Sequence, residues 1–200
     1  MITLVDYGLG NIQAFMHIYS RLQIPCSKAA TATELANAKK VILPGVGAFD
    51  WAMQRLQASG MRATLDELVL ERSVPVLGIC VGMQIMARRS DEGSMPGLAW
   101  IPGEVKKLDV KRELALPHMG WNDVTPTKDD PVFRDLADPR FYFLHSYYFV
   151  PDQAPHSLAT THYGEEFTAA VCNGHIYGVQ FHPEKSHGWG IQLLKNFAEL

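Results

Sequence analysis

The chain has 200 residues, 47% hydrophobic and 20% charged, with a formal net charge of −3. That leaves room for one sizeable domain with a real core. The small negative charge and the lack of a long basic run argue against nucleic acid as the main partner. No apolar stretch approaches the roughly twenty residues of a membrane span. The start, Met1-Ile2-Thr3-Leu4-Val5-Asp6, lacks the basic region and cleavage site of a signal peptide. Three cysteines, odd in number and far apart, make no disulfide framework. The expectation is one cytoplasmic domain over 1–200, with neither a membrane nor a nucleic acid as partner.

Residues 2–6 read as a β-branched strand. Tyr7-Gly8-Leu9-Gly10 turns it, and Asn11 suits a helix N-cap. Ile12, Phe15, Met16, Tyr19 and Leu22 then recur at helical spacing. Gly8-Leu9-Gly10 invites a dinucleotide-binding reading, but Gln13 stands where the third glycine belongs, which favours a close-packed turn. Residues 25–30 form a second expected strand. Thr31-x-x-Glu34 has the spacing of a capping box and opens a short helix. Residues 40–43 form a third strand that runs into Pro44-Gly45-Val46-Gly47. Helices are expected at about 48–59 and 62–72. Val74-Pro75-Val76-Leu77 then reads as a buried parallel strand, and residues 83–89 have helix-forming composition.

After Ser90 the pattern turns to strands, at 104–109, 121–125, 140–150, 158–162, 168–172 and 175–181. Asn173-Gly174 is a strong hairpin turn between the last two. A final helix over 188–200 buries Trp189, Leu193, Leu194 and Phe197. No Gly/Ser-rich or Pro-rich linker divides the halves. The expected fold is α/β: a single mixed-sheet domain with a parallel central sheet flanked by helices and an antiparallel, strand-rich C-terminal half.

The chemistry centres on Gly78-Ile79-Cys80-Val81-Gly82. Gly-x-nucleophile-x-Gly between a strand and a helix is the pattern of a nucleophile elbow. A cysteine there sits at a helix N-terminus, where the dipole favours the reactive thiolate. The competing reading is a buried structural cysteine beside two packing glycines. A nucleophilic thiol needs a base, and the base needs an orienting group. His182-Pro183-Glu184 offers both, because residues two apart in an extended segment share a side, and Pro183 keeps the segment extended. Its competing reading is an exposed loop with an incidental His-x-Glu.

An oxyanion hole would take one donor from the Val81 N–H. A second would come from the Pro44–Gly47 loop, whose glycines permit the conformation that aims an N–H inward; otherwise that loop is a plain strand-to-helix turn. Cys172-x-x-His175 straddles the expected hairpin and no second pair completes a zinc set, so no metal is expected. Cys26 and Cys172 read as small core residues. His17, His118, His145, His156, His162, His175 and His187 read as packing or surface residues.

These motifs occur with Asp6-Tyr7-Gly8-x-Gly10-Asn11, Pro44-Gly45-Val46-Gly47-Ala48-Phe49, Cys80-Val81-Gly82-Met83-Gln84, Pro117-His118-Met119-Gly120-Trp121-Asn122, His145-Ser146-Tyr147-Tyr148 and His182-Pro183-Glu184-Lys185-Ser186. On them the chain resembles the class I, triad-type glutamine amidotransferases over essentially its whole length. Within that family it looks most like the branch serving imidazole glycerol phosphate synthesis in histidine biosynthesis. Ser186-His187-Gly188-Trp189-Gly190 departs from the commoner forms, beside the site. The resemblance implies hydrolysis of L-glutamine to glutamate and ammonia without a cofactor, through a Cys80 thioester, with His182 as acid and base and Glu184 orienting it. It implies an oxyanion hole of Val81 with Val46 or Gly47, and substrate binding by Gln84, Ser146 and Tyr147. It also implies a heterodimer with a (β/α)₈ cyclase subunit that receives the ammonia, docked near Asn11, Met119, Trp121 and Lys185. Three other readings stay open: a glutaminase of pyridoxal phosphate, folate or purine synthesis, a non-catalytic partner on the same fold, and a cysteine peptidase.

Overall fold

Side chains alternate across a strand, so a strand buried at every position must be covered on both faces. That holds for β1 (Ile2–Val5), β3 (Val41–Gly45) and β4 (Val76–Cys80), while β2 (Cys26–Ala29) is only partly buried, as suits an edge. The structure, a computed structural model, describes residues 1–110 and 114–200. Its remaining strands are β5 (Gly103–Lys107), β6 (His118–Asp123), β7 (Thr125–Pro126), β8 (Arg140–His145), β9 (Tyr147–Pro151), β10 (Ser157–Tyr163), β11 (Glu165–Asn173) and β12 (Ile176–Val179). The main sheet has the order β2-β1-β3-β4-β12-β11-β10-β7. It is parallel from β2 to β12 and antiparallel beyond. Two antiparallel pairs, β5 with β9 and β6 with β8, stand beside it. The expected fold, a parallel centre with an antiparallel C-terminal half, is the observed one.

The helices are α1 (Ile12–Arg21), α2 (Ala32–Leu35), α3 (Phe49–Ala58), α4 (Arg62–Asp66), α5 (Val81–Gln84) and α6 (His187–Glu199). Asn11 caps α1 by accepting from the Ala14 N–H at 3.2 Å. Thr31 Oγ1 accepts from the Glu34 N–H at 3.3 Å, and the Glu34 carboxylate reaches back to the Ala30 N–H at 2.7 Å. Gly8 and Gly10 both have positive φ, at +86° and +90°, in the close-packed turn after β1. Among the described residues no helix is long and apolar enough to cross a membrane.

Four expected elements are redrawn. The expected 62–72 helix is α-helical only to Asp66 and continues as a π turn over Glu67–Glu71. The elbow strand runs on to Cys80, because its glycine and isoleucine pair with both β3 and β12. The expected helix at 83–89 is a single turn, α5. The carbonyls of Ile85, Met86, Ala87 and Arg88 accept from the backbone of residues 97–101, which returns across them and ends the helix. The expected strand at 140–150 breaks at Ser146, since β8 pairs with β6 and β9 with β5.

Register explains why distant residues meet. Gly45 lies opposite Cys80 on β3, and Val179 opposite Ile79 on β12. The chain leaving β3 and the chain leaving β12 therefore emerge on either side of the cysteine. The turn into α5 fits only because backbones touch. A methyl group at Gly82 would overlap the Leu43 carbonyl oxygen and stand 2.9 Å from its carbon. Gly82→Ala is expected to cost at least about 2 kcal/mol and to lower the thermal midpoint by about 4–8 °C. Gly188→Ala, on α6 with open space around it, is expected to raise stability by roughly 0.5 kcal/mol. Parallel thermal melts check both.

Candidate active site

Cys80 sits at φ +55° and ψ −115°, a conformation that L residues rarely adopt. This is the strained residue that the elbow pattern predicts, and it turns the side chain out of the sheet. With α5 one turn long, the cysteine gains little from a helix dipole. What the turn offers instead is the first-turn N–H groups of Val81 and Gly82, which no intrahelical bond uses.

The His182 Nδ1 lies 2.9 Å from Glu184 Oε1, and both side chains are only 4% exposed. They meet as expected but on a different backbone. Pro183–Lys185 is a turn of 3₁₀ helix, not an extended segment. Proline at a first helical position has its φ already set for such a turn. His182 is anchored through its backbone: its N–H donates to the Tyr142 carbonyl at 2.8 Å. Ser186 Oγ donates to the His182 carbonyl at 2.6 Å and accepts from the Tyr142 N–H at 3.0 Å. Burial opposes a charge on His182, but hydrogen bonds from Cys80 and Glu184, with their charges, outweigh it. Its pKa is raised from 6.5 to about 9. The imidazole thus holds a proton at neutral pH beside the sulfur.

Gln180 Nε2 donates to Cys80 Sγ at 3.6 Å, and Gln180 Oε1 accepts from Gln84 Nε2 at 3.0 Å. On the other side the Tyr7 hydroxyl donates to the Pro44 carbonyl at 2.7 Å, fixing the start of the glycine loop. Burial, and secondarily the Cys80 charge, pushes the Tyr7 hydroxyl pKa up, so it stays protonated.

A cavity of about 310 Å³ opens over the cysteine. Val46, Gly47 and Val81 line it, as do Gln84, Ser146, Tyr147, His182 and Lys185. Every residue expected for the oxyanion hole and for substrate therefore faces one space. The expected docking residues are more scattered. Met119 and Trp121 are outward on β6 and exposed. Lys185 Nζ stands 5.8 Å above the Tyr142 ring. Asn11 caps α1 next to Gly10, and a methyl group at Gly10 would stand 2.6 Å from Pro44 Cβ. The unusual 186–190 segment places His187 in a parallel stack on Trp121, centroids 5.2 Å apart.

Four functional candidates escaped the sequence reading. Gln180 stands two residues before His182 in an extended run, so strand alternation could have put it beside the cysteine. Ser186 and Glu92 carried no such signal. Glu92 lines the cavity while its Oε2 accepts from the Phe49 N–H at 2.8 Å. Tyr7 and Ser186 stand in the motifs at 6–11 and 182–186, which by themselves give neither residue a role. His118 and His145, read as packing residues, are buried but hydrogen-bonded to each other at 2.9 Å.

The class I glutamine amidotransferase family model matches residues 3–200. Imidazole glycerol phosphate synthase subunit HisH of Bdellovibrio bacteriovorus is 58% identical, with both chains covered in full. The Leptospira borgpetersenii protein of the same name is 46% identical, and HisH 2 of Pseudomonas aeruginosa is 43% identical, again over the whole of both chains. Among solved structures, a glutamine amidotransferase aligns with a TM-score of 0.77 at 18% identity, covering 100% of this chain and 99% of its own. PurLQS from Thermotoga maritima aligns at 0.71 and 17%, covering 99% and 97%. At those identities the two structures speak for the fold alone. The chain belongs to the class I glutamine amidotransferase family. Within it, the full-length identities place the chain in the HisH family.

The raised pKa of His182 has a measurable consequence. A group protonated more tightly in the folded state adds stability that is complete below its unfolded value and lost as pH rises through its folded one. Denaturant unfolding of the wild type is expected to lose roughly 1–3 kcal/mol between pH 6.5 and about 9 relative to His182→Gln. Parallel curves for the two proteins over that interval would contradict the assignment.

Proposed function

We propose that this chain is the glutaminase subunit of an imidazole glycerol phosphate synthase and that Cys80, His182 and Glu184 are its catalytic residues. The observation that carries the reading is the buried His182–Glu184 pair acting on a cysteine held in a strained elbow at the floor of one cavity. The Cys80 thiolate attacks the side-chain carboxamide carbon of glutamine. The oxyanion is received by the Val81 N–H and by an N–H of the Val46–Gly47 segment. The His182 imidazolium gives its proton to the departing amine, and ammonia leaves a γ-glutamyl thioester. His182, now neutral, takes a proton from water, whose oxygen attacks the thioester; glutamate leaves and the thiolate–imidazolium pair returns. Glu184 keeps the ring in one tautomer and stabilises its charge. Gln84, Ser146 and Tyr147 hold the amino-acid end, and the Glu92 carboxylate supplies a charge opposite to that of the substrate's ammonium.

Ammonia protonated in bulk water is no longer a nucleophile, so the product is best passed directly to a partner. We take that partner to be a (β/α)₈ cyclase subunit, docked over Met119, Trp121, Asn11 and Lys185, the last of which lines the cavity. Gly47 has φ +86° and a methyl group there would touch only Trp51, at 3.7 Å. The 46–47 peptide therefore has freedom to exchange a carbonyl for an N–H toward the oxyanion, and docking is the event that sets it. In the assembled synthase, Cys80→Ala is expected to lower glutamine-dependent turnover by roughly 10⁴-fold while turnover with added ammonia persists. The isolated chain is expected to hydrolyse glutamine slowly and to speed up with cyclase and its nucleotide precursor. A full rate without the partner would refute the switch. An active Cys80→Ala would refute the glutaminase reading.

A further inference from the structure

Three polar side chains that the chemistry above does not use, Asn122, His118 and His145, form a line from strand β6 toward the cavity. Asn122 begins it, and its amide cannot rotate freely. Its Oδ1 accepts from the Asp123 N–H at 2.9 Å and its Nδ2 donates to the His162 carbonyl at 2.9 Å. The second Nδ2 hydrogen faces His118 Nε2 at 3.3 Å. His118 Nδ1 faces His145 Nε2 at 2.9 Å, and His145 Nδ1 faces the Tyr147 carbonyl at 2.9 Å. That carbonyl also accepts from Gln84 Nε2 at 2.9 Å.

The two ends decide the protons in between. A carbonyl only accepts, so His145 carries its hydrogen on Nδ1. Asn122 presents a donor, so His118 Nε2 is an acceptor and His118 carries its hydrogen on Nδ1 as well. Each imidazole then has one donor and one acceptor, both satisfied, and neither has a place for a second proton. Beyond Tyr147 the order continues. Gln84 must turn its Nε2 to the carbonyl and to Gln180 Oε1, which leaves Gln180 Nε2 to face Cys80 Sγ.

We propose that His118 and His145 are positioning residues for glutamine, a one-way relay that fixes the Tyr147 carbonyl and with it the Gln84 and Gln180 amides around the reacting sulfur. The inference rests on the glutaminase reading and extends it to two residues that touch neither the thiol nor Glu184. Electrostatics agree with the geometry. Burial lowers the His118 pKa from 6.5 to about 4. Burial first, with the His118 and His182 charges against a bond to Tyr147, lowers that of His145 to about 3. Packing holds the relay in line: the His118 ring stacks on Tyr163 at 4.1 Å and on Phe143 at 4.8 Å.

The test uses two substitutions in the assembled synthase. His118→Phe keeps a ring between Tyr163 and Phe143 but leaves His145 Nε2 without a donor. His118→Asn returns a donor near the Nδ1 position. His118→Phe is expected to raise KM for glutamine roughly tenfold or more. Its kcat, and the alkylation of Cys80 by iodoacetamide, which needs no substrate pocket, should stay within about threefold of wild type. His118→Asn is expected to regain most of the lost binding. Long-range ¹H–¹⁵N spectra of the wild type at neutral pH are expected to show both rings uncharged with hydrogen on Nδ1. An unchanged KM in a folded His118→Phe, equal KM losses in both variants, or a ring charged or protonated on Nε2 would overturn the proposal. If the wild-type synthase hydrolysed no glutamine, the glutaminase reading would fall instead. The ring spectra would then decide on the relay by themselves.

Discussion

The site depends on a backbone contact that excludes side chains. Gly45 on β3, Gly78 on β4 and Gly82 in α5 meet where the chain turns out of the sheet. A methyl group at Gly45 would lie 2.8 Å from the Val81 carbonyl carbon, and one at Gly78 would lie 2.7 Å from the Gly82 carbonyl oxygen. Contacts that short do not exist between real side chains and backbone. With glycine at all three positions the turn settles directly on its neighbouring strand. The same closeness forces Cys80 to φ +55°, a strain on the order of 1–3 kcal/mol. The buried strands on either side hold it there, and the result is a sulfur lifted from the sheet, facing the exits of β3 and β12.

Around that sulfur the fold keeps two nearby histidines in opposite states. His182 is near a carboxylate and a thiol, and its pKa rises to about 9 in spite of burial. His145 has no carboxylate beside it, and burial, with the His118 and His182 charges, outweighs its bond to the Tyr147 carbonyl, so its pKa falls to about 3. A charge on His145 would repel the one on His182, the proton that the proposed mechanism gives to the leaving ammonia. Tyr7, kept protonated by burial, adds no negative charge beside the Cys80 sulfur. The His182–Glu184 pair is thus set among oriented neutral dipoles, the kind of surroundings on which the proposed oxyanion stabilisation draws.

Much of this was legible in the residues. Apolar runs, caps and glycine turns placed the parallel strands and most helices, and the spacing of Gly78, Cys80 and Gly82 announced the elbow. Local composition failed where long-range bonding decides. Residues 83–89 have good helix formers, yet their carbonyls are taken by a returning segment after one turn of α5. Residues 140–150 read as one strand because nothing local reveals that β8 and β9 pair with different partners. The His182–Glu184 contact was anticipated, although through an extended backbone that proline converts to a 3₁₀ turn. Glu92 and Ser186 reach the site from loops with no periodic pattern, and the histidine relay is invisible without tertiary contacts.

The most direct measurement is covalent. A diazoketone analogue of glutamine, presented to the assembled synthase, should add one equivalent to the chain, and peptide mass spectrometry should place it on Cys80 with protection by excess glutamine. Attachment at any other residue, or no attachment by a synthase that is releasing ammonia from glutamine, would contradict the account.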